Sequence, residues 1–168
     1  MTMTATDAEA AFREDPAKAR SAPTVTATLA NGRARLSAGS FNWDADLPPI
    51  LGGENLAPSP TAYLLGALAG CAVAFLRDTL APQFGVQIDD VTAAASSVSD
   101  LRGLIGIDGA APDLTDLKLD IKLSSRSPRD RVDAMLGAWT ERCPIYLALL
   151  NPNTIQLTTS VNGASSPC

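Results

Sequence analysis

The spacing of apolar and polar positions divides the chain into a polar arm, a run of short strands, one long apolar helix, and a second set of strands and helices. Residues 1–22 are polar with weak periodicity and read as a mobile arm or a short helix. From Thr24 the pattern turns extended. Asn31-Gly32 separates two such runs and predicts a type I′ hairpin, because both residues tolerate positive φ. A third strand is expected over 39–47, before Pro48-Pro49 and a loop at Gly52-Gly53-Glu54-Asn55.

Ser59 and Pro60 then form an N-cap and first helical position. The helix they open is apolar on all sides, so it is expected to be central and covered, and to end near Leu80, before Pro82. Gly66, Ala69, Gly70 and Ala74 give it a small-residue surface. Each interior glycine costs roughly 1 kcal/mol relative to alanine, so something is expected to pack close there.

Residues 86–98 read as a strand and 114–123 as a clearer one, with Leu117, Leu119, Ile121 and Leu123 alternating against Lys118, Asp120 and Lys122. The Gly-rich stretch 100–113 between them is expected to be a loop. A second helix follows, with Ser127 as N-cap, Pro128 first, and Val132, Met135, Leu136 and Trp139 as its buried stripe. Pro144 interrupts it, 145–150 gives a short helix, and 154–161 a last strand. The order β-β-β-α-β-β-α-α-β describes an α+β fold with mostly antiparallel sheet. The expected organisation is an arm over 1–22, a single domain over 23–162 and a disordered tail over 163–168.

Composition narrows the chemistry. Across 168 residues there is no histidine, so histidine-based triads, metal sites and proton shuttles are excluded. Thirteen basic against eighteen acidic residues, net charge −5, argue against nucleic acid as partner, as does a 5% aromatic share. No phosphate-binding glycine motif occurs. The stretch from Asn55 to Leu76 is uncharged, but its apolar helix of about 16 residues falls short of the ~20 a membrane span needs. No membrane association is expected. The N-terminal segment carries charges throughout and has no apolar h-region, so no secretory signal is expected and the reducing cytoplasm is the expected compartment.

Three cysteines remain, Cys71, Cys143 and Cys168, in no metal-binding spacing. Cys71 lies mid-helix and Cys143 continues the buried stripe of the second helix. Each taken alone reads first as a buried hydrophobe. Pro144 would put the Cys143 sulfur near a helix start, where a thiolate is favoured, which nominates it as the more acidic thiol. If the two long helices pack together, the sulfurs could approach disulfide distance. Cys168 is expected to be a bystander.

Asn55-Leu-Ala-Pro-Ser-Pro-Thr-Ala-Tyr-Leu-Leu-Gly-Ala-Leu-Ala-Gly-Cys71 together with Glu141-Arg-Cys-Pro-Ile145 resembles the OsmC/Ohr family of osmotically inducible and organic hydroperoxide resistance proteins, over roughly residues 24–161. The resemblance implies an intertwined homodimer with active sites at the subunit interface, and a thiol peroxidase acting on organic hydroperoxides without a metal or other cofactor. It makes Cys71 the peroxidatic thiol, Cys143 the resolving thiol and an external dithiol the reductant. It also implies an activating arginine from the hairpin, matching Arg33, with Arg35 as alternative on the same strand face. Thr61 and Ala62 stand where the family's peroxidases carry glutamate, ten and nine residues before Cys71, and Glu54 in the loop is the candidate substitute. The competing readings are a non-enzymatic protein of this fold that binds a small apolar or electrophilic ligand at the dimer interface, and a structural protein with two inert core cysteines.

Overall fold

The computed structural model describes residues 5–151, 153–162 and 164–167. Cys168 lies outside the described residues. The arm contains a helix, α1 (Ala5–Glu14), and a 3-10 turn at Pro16–Ala19. The first sheet is an antiparallel meander of β1 (Thr26–Ala30), β2 (Arg33–Ala38) and β3 (Phe41–Ala45). Its first turn forms where expected: Ala30 faces Arg33, and Asn31 and Gly32 both take positive φ, 51° and 75°.

The central helix, α2 (Pro60–Phe75), starts at the expected cap, where the Ser59 hydroxyl accepts the Ala62 N–H at 3.2 Å. It does not stop before Pro82. A π turn over Leu76–Leu80 carries it into α3 (Ala81–Phe84), and Gly85, at φ 60°, ends it. The wider turn changes the hydrogen-bond register just ahead of the proline, and Pro82 then sits in the first turn of a new helical segment, where its missing N–H is not needed.

By length and composition this 25-residue helix could cross a membrane. Within one chain 28% of its most apolar window is buried, and that part builds the core of the fold. Ala72, Leu76, Leu80 and Ala81 are buried in the central cluster, and an exposed Arg77–Asp78 ion pair interrupts its second half.

Two long strands, β4 (Ile88–Val98) and β5 (Thr115–Ser125), form a second antiparallel sheet against α2. The loop between them holds a short helix, α4 (Leu101–Leu104), capped by Asp100. Leu119, Ile121 and Leu123 turn inward from β5, as the alternation predicts. The helix α5 (Arg129–Arg142) follows with Val132, Met135, Ala138 and Trp139 buried.

Ser127 does not cap α5. Its hydroxyl accepts the Gln87 N–H at 2.8 Å, tying the two sheet strands' ends together, and the Pro128 carbonyl accepts from Arg131 and Val132 instead. A short α6 (Pro144–Leu150) leads to β6 (Thr158–Val161). Where a disordered tail is expected, β7 (Ala164–Pro167) pairs antiparallel with β6.

The loop that delivers the chain to α2 is organised by Asp46, 7% exposed. Its carboxylate accepts backbone N–H groups from Leu47 at 2.8 Å, Leu56 at 2.9 Å and Glu54 at 3.2 Å. The Asp46 N–H in turn reaches the Pro58 carbonyl. Gly53 makes this closure possible, since a Cβ there would overlap the Leu47 carbonyl. The Leu56 N–H most of all, then those of Leu47 and Glu54, with the nearby Arg33 charge adding to them, hold the Asp46 carboxyl below the usual carboxylate range against the opposing effect of burial.

Two outcomes follow. Met135 is fully buried at the α5 contact with the central helix, so Met135→Ala is expected to lower unfolding free energy by about 2–5 kcal/mol in urea titrations, with m unchanged. Because the folded pKa of Asp46 is depressed, its contribution is present above the ordinary carboxylate pKa and lost as pH falls from about 4 through the folded value. Asp46→Asn is therefore expected to unfold at lower temperature than the parent at pH 7, with the gap between the two closing as pH is lowered below about 4; an unchanged gap would rule out that linkage.

Candidate active site

Helix geometry brings the two interior cysteines together. Cys71 faces inward from the fourth turn of α2, beside the buried Ala72. Cys143 is the hinge between α5 and α6: its φ and ψ, −69° and 113°, are extended, its N–H donates to the Trp139 carbonyl at 2.9 Å, and its own carbonyl accepts the Leu147 N–H at 3.0 Å. Pro144 fits this corner because the first residue of α6 needs no donor. The sulfurs lie 3.0 Å apart as free thiols. A disulfide requires about 2.0 Å, so closure needs the sulfurs to approach by about 1 Å.

The electrostatics divide unexpectedly between the two thiols. Cys143 is completely buried and Cys71 half-buried. Burial pushes the Cys71 thiol up to about 11, and the adjacent Cys143 adds to the rise. The Ile145 N–H, in the first turn of α6, is hydrogen-bonded to Cys71 and pulls the other way. The start of α6 thus addresses the sulfur of Cys71 across the helix interface, whereas its sequence position suggests the adjoining Cys143.

Neither hairpin arginine is among the groups acting on Cys71 within one chain. Arg35, on the same face of β2 as Arg33 but exposed, pairs with Asp44 at 2.9 Å. Arg33 is half-buried, with its Nε enclosed and without an acceptor among the described residues. It lines a cleft of about 490 Å³ together with Asp46, Gly53 and Pro60, the first residue of α2. Glu54 exposes its side chain and contributes only its backbone N–H, to Asp46. The buried carboxylate in Arg33's cleft is therefore Asp46. Its sequence signal was weak: the second of two acids, Asp44 and Asp46, before Leu47-Pro48-Pro49, distinguished only by the Gly52-Gly53 pair that lets the loop fold back over it.

The described residues contain no cluster of acids or cysteines able to hold a metal. Two adjacent thiols beside a backbone N–H can undergo reversible oxidation to a disulfide, and a nucleophilic thiolate at Cys71 would be partly reachable from solvent.

The architecture is shared with solved structures. An OsmC-like protein from Mycoplasma pneumoniae aligns with a TM-score of 0.63 and 19% identity over 77% of this chain and 88% of that one. An OsmC-like hydroperoxide resistance protein from Jannaschia sp. CCS1 aligns with a TM-score of 0.54 and 18% identity over 87% and 96%. An organic hydroperoxide resistance protein from Legionella pneumophila gives a TM-score of 0.51 and 18% identity over 77% and 89%. No curated protein matches the sequence. The family model described as OsmC-like protein matches residues 52–158, from the loop before α2 to the start of β6 and including both interior cysteines; the chain belongs to that family.

Proposed function

We propose that the protein is a thiol-dependent peroxidase that reduces organic hydroperoxides. The observation that carries this reading is the 3.0 Å approach of the Cys71 and Cys143 sulfurs. Two of the similar structures are of hydroperoxide resistance proteins, which supports the same role.

In the proposed cycle the Cys71 thiolate attacks the terminal oxygen of the hydroperoxide. The O–O bond breaks, the alcohol leaves with a proton, and Cys71 becomes a sulfenic acid. The Cys143 sulfur then attacks the Cys71 sulfur, forming the disulfide and releasing water. An external dithiol reduces that disulfide and is itself oxidised to a disulfide, which restores both thiols. No metal or other cofactor takes part.

A thiol pushed up to about 11 is a poor nucleophile at neutral pH, so the reading requires a cation near Cys71. We assign that role to Arg33 of a second copy of the chain. Several exposed groups support a homodimer. Leu29 and Phe41 on the first sheet are 86% and 73% exposed, and Cβ atoms added at Gly66 or Gly70 on α2 would meet nothing within 4 Å. The close-packed neighbour that this glycine stripe predicts is absent among the described residues and would be the partner. Asp46, rather than Glu54, is the carboxylate in Arg33's cleft. A reducing cytoplasm is the compartment that suits the free thiols.

The unactivated state of Cys71 in a single chain also favours a second reading, a ligand-binding protein in which the thiols do no chemistry. Activity separates the two. Consumption of cumene hydroperoxide with a dithiol reductant is expected to vanish in Cys71→Ser, and in Cys143→Ser to be limited to a single oxidation of Cys71. Arg33→Met is expected to lower kcat/KM by about tenfold or more and to move the pH of half-maximal alkylation of Cys71 upward, since a nearby opposite charge is worth roughly 1–3 pKa units. Undiminished turnover in Cys71→Ser would sink the peroxidase reading, and ligand-induced stabilisation of that variant would favour the binding one.

Light scattering at micromolar concentration tests the assembly. The expected mass is that of two chains, falling toward one in Gly70→Trp, because an indole on that stripe would hold the helices apart. A single-chain mass for the parent protein would remove the dimer and with it the assignment of Arg33.

A further inference from the structure

Besides joining to each other, the Cys71 and Cys143 sulfurs can act together on a third atom. They stand 3.0 Å apart. A disulfide would bring them to about 2.0 Å. One atom bonded to both holds them further apart: two bonds as long as those of a metal thiolate, about 2.3 Å, meeting near a right angle, span sulfurs roughly 3.3 Å apart. The resting pair is closer to that bridged spacing than to the disulfide.

The donor set decides what the bridging atom can be. Thiol sulfur is a soft ligand and selects soft centres. Zinc takes four ligands in a closed site, and among the described residues no group of three or more cysteines and acids is placed to hold a metal ion. Two sulfurs therefore suit a centre of low coordination that brings its remaining substituent with it. Protons narrow the choice further. A metal ion binds thiolate and must displace the proton, whereas burial pushes the Cys71 thiol up to about 11 and so keeps it neutral. A centre that arrives carrying hydroxide takes the thiol protons away as water, so the exchange releases no proton to solvent.

We propose that Cys71 and Cys143 form a chelating site for trivalent organoarsenicals of the type R–As(OH)2. Two As–O bonds break and two As–S bonds form. Each hydroxide leaves with one thiol proton as water, and the arsenic stays trivalent, so no oxidant or reductant takes part. Cys71 reacts first, because it is half-buried while Cys143 is completely buried. The second bond is then intramolecular. Hydrogen bonds from the Cys143 N–H to the Trp139 carbonyl and from the Leu147 N–H to the Cys143 carbonyl hold the second thiol in place, and closing the bridge opens the sulfur pair by only about 0.3 Å. The site rests on the sulfur geometry and not on the peroxidase reading, although an occupied pair could not turn over a hydroperoxide.

The probe is phenylarsine oxide, the dehydrated form of such an arsenical, added to the reduced full-length chain with excess 2-mercaptoethanol. The monothiol competes for any arsenic held by one sulfur alone. Intact mass is expected to rise by one phenylarsenic group less two hydrogens, and 2,3-dimercaptopropanol should reverse the rise. Apparent affinity should exceed that of Cys71→Ala and of Cys143→Ala by about a hundredfold or more, since an intramolecular second contact multiplies affinity by roughly 10²–10⁴. Cys168→Ser should keep the adduct in full.

If an alanine variant fails to fold, diphenylarsinous chloride makes the same comparison on the parent protein. It has one exchangeable position, cannot bridge, and should be stripped by the monothiol. Uptake of phenylarsenic by a parent protein that consumes no hydroperoxide would sink the peroxidase reading and leave this site standing. The proposal is overturned if the parent protein retains no phenylarsenic against the monothiol, if either alanine variant holds it as tightly, if the diphenyl reagent is retained equally well, or if Cys168→Ser loses it.

Discussion

Everything chemical in this protein depends on the packing of the central helix against α5. Ala72, Leu76 and Leu80 share one buried cluster with Val132, Met135 and Trp139. That contact places Cys71 opposite the corner where α5 ends, which is where Cys143 sits. Neither sulfur is positioned by a polar network of its own. The pair is a by-product of hydrophobic packing, and close-packed interiors hold such a distance with little slack.

The same burial that fixes the geometry opposes reactivity. Removing Cys71 from water raises its pKa, and the neighbouring thiol raises it further. Opposing contributions come from the Ile145 N–H inside the chain and, on our reading, from an arginine outside it. On that reading two requirements are separated: proximity is met within one subunit, ionisation only by the assembly. Arg33 fits this division, being half-buried with an Nε that has no acceptor among the described residues, beside a carboxylate that the loop already satisfies with three backbone donors.

Much of this was legible in the sequence because local rules governed it. Asn31-Gly32 needed only backbone sterics, Ser59-Pro60 only the chemistry of a helix start, and the alternation in β5 only the period of a strand. The thiol pair was legible as a pair because both cysteines fell on inward faces. What escaped depended on contacts between distant segments. Pro82 looked like a helix terminator because a π turn, set by core packing, cannot be read from periodicity. Ser127 looked like a cap until the Gln87 N–H, forty residues earlier and just before β4, claimed its hydroxyl. Asp46 became distinctive only when Gly53 and Leu56 folded back onto it.

The complete burial of Cys143 gives the sulfur pair a direction. A reagent approaching from solvent can meet the pair only at Cys71. Should the sulfurs join, an incoming thiol would have to attack the Cys71 side and expel Cys143 inward, so any mixed disulfide with a second molecule would form on the central helix. On the peroxidase reading the pair is a one-sided port, its regiochemistry in both directions decided by which sulfur the core leaves uncovered.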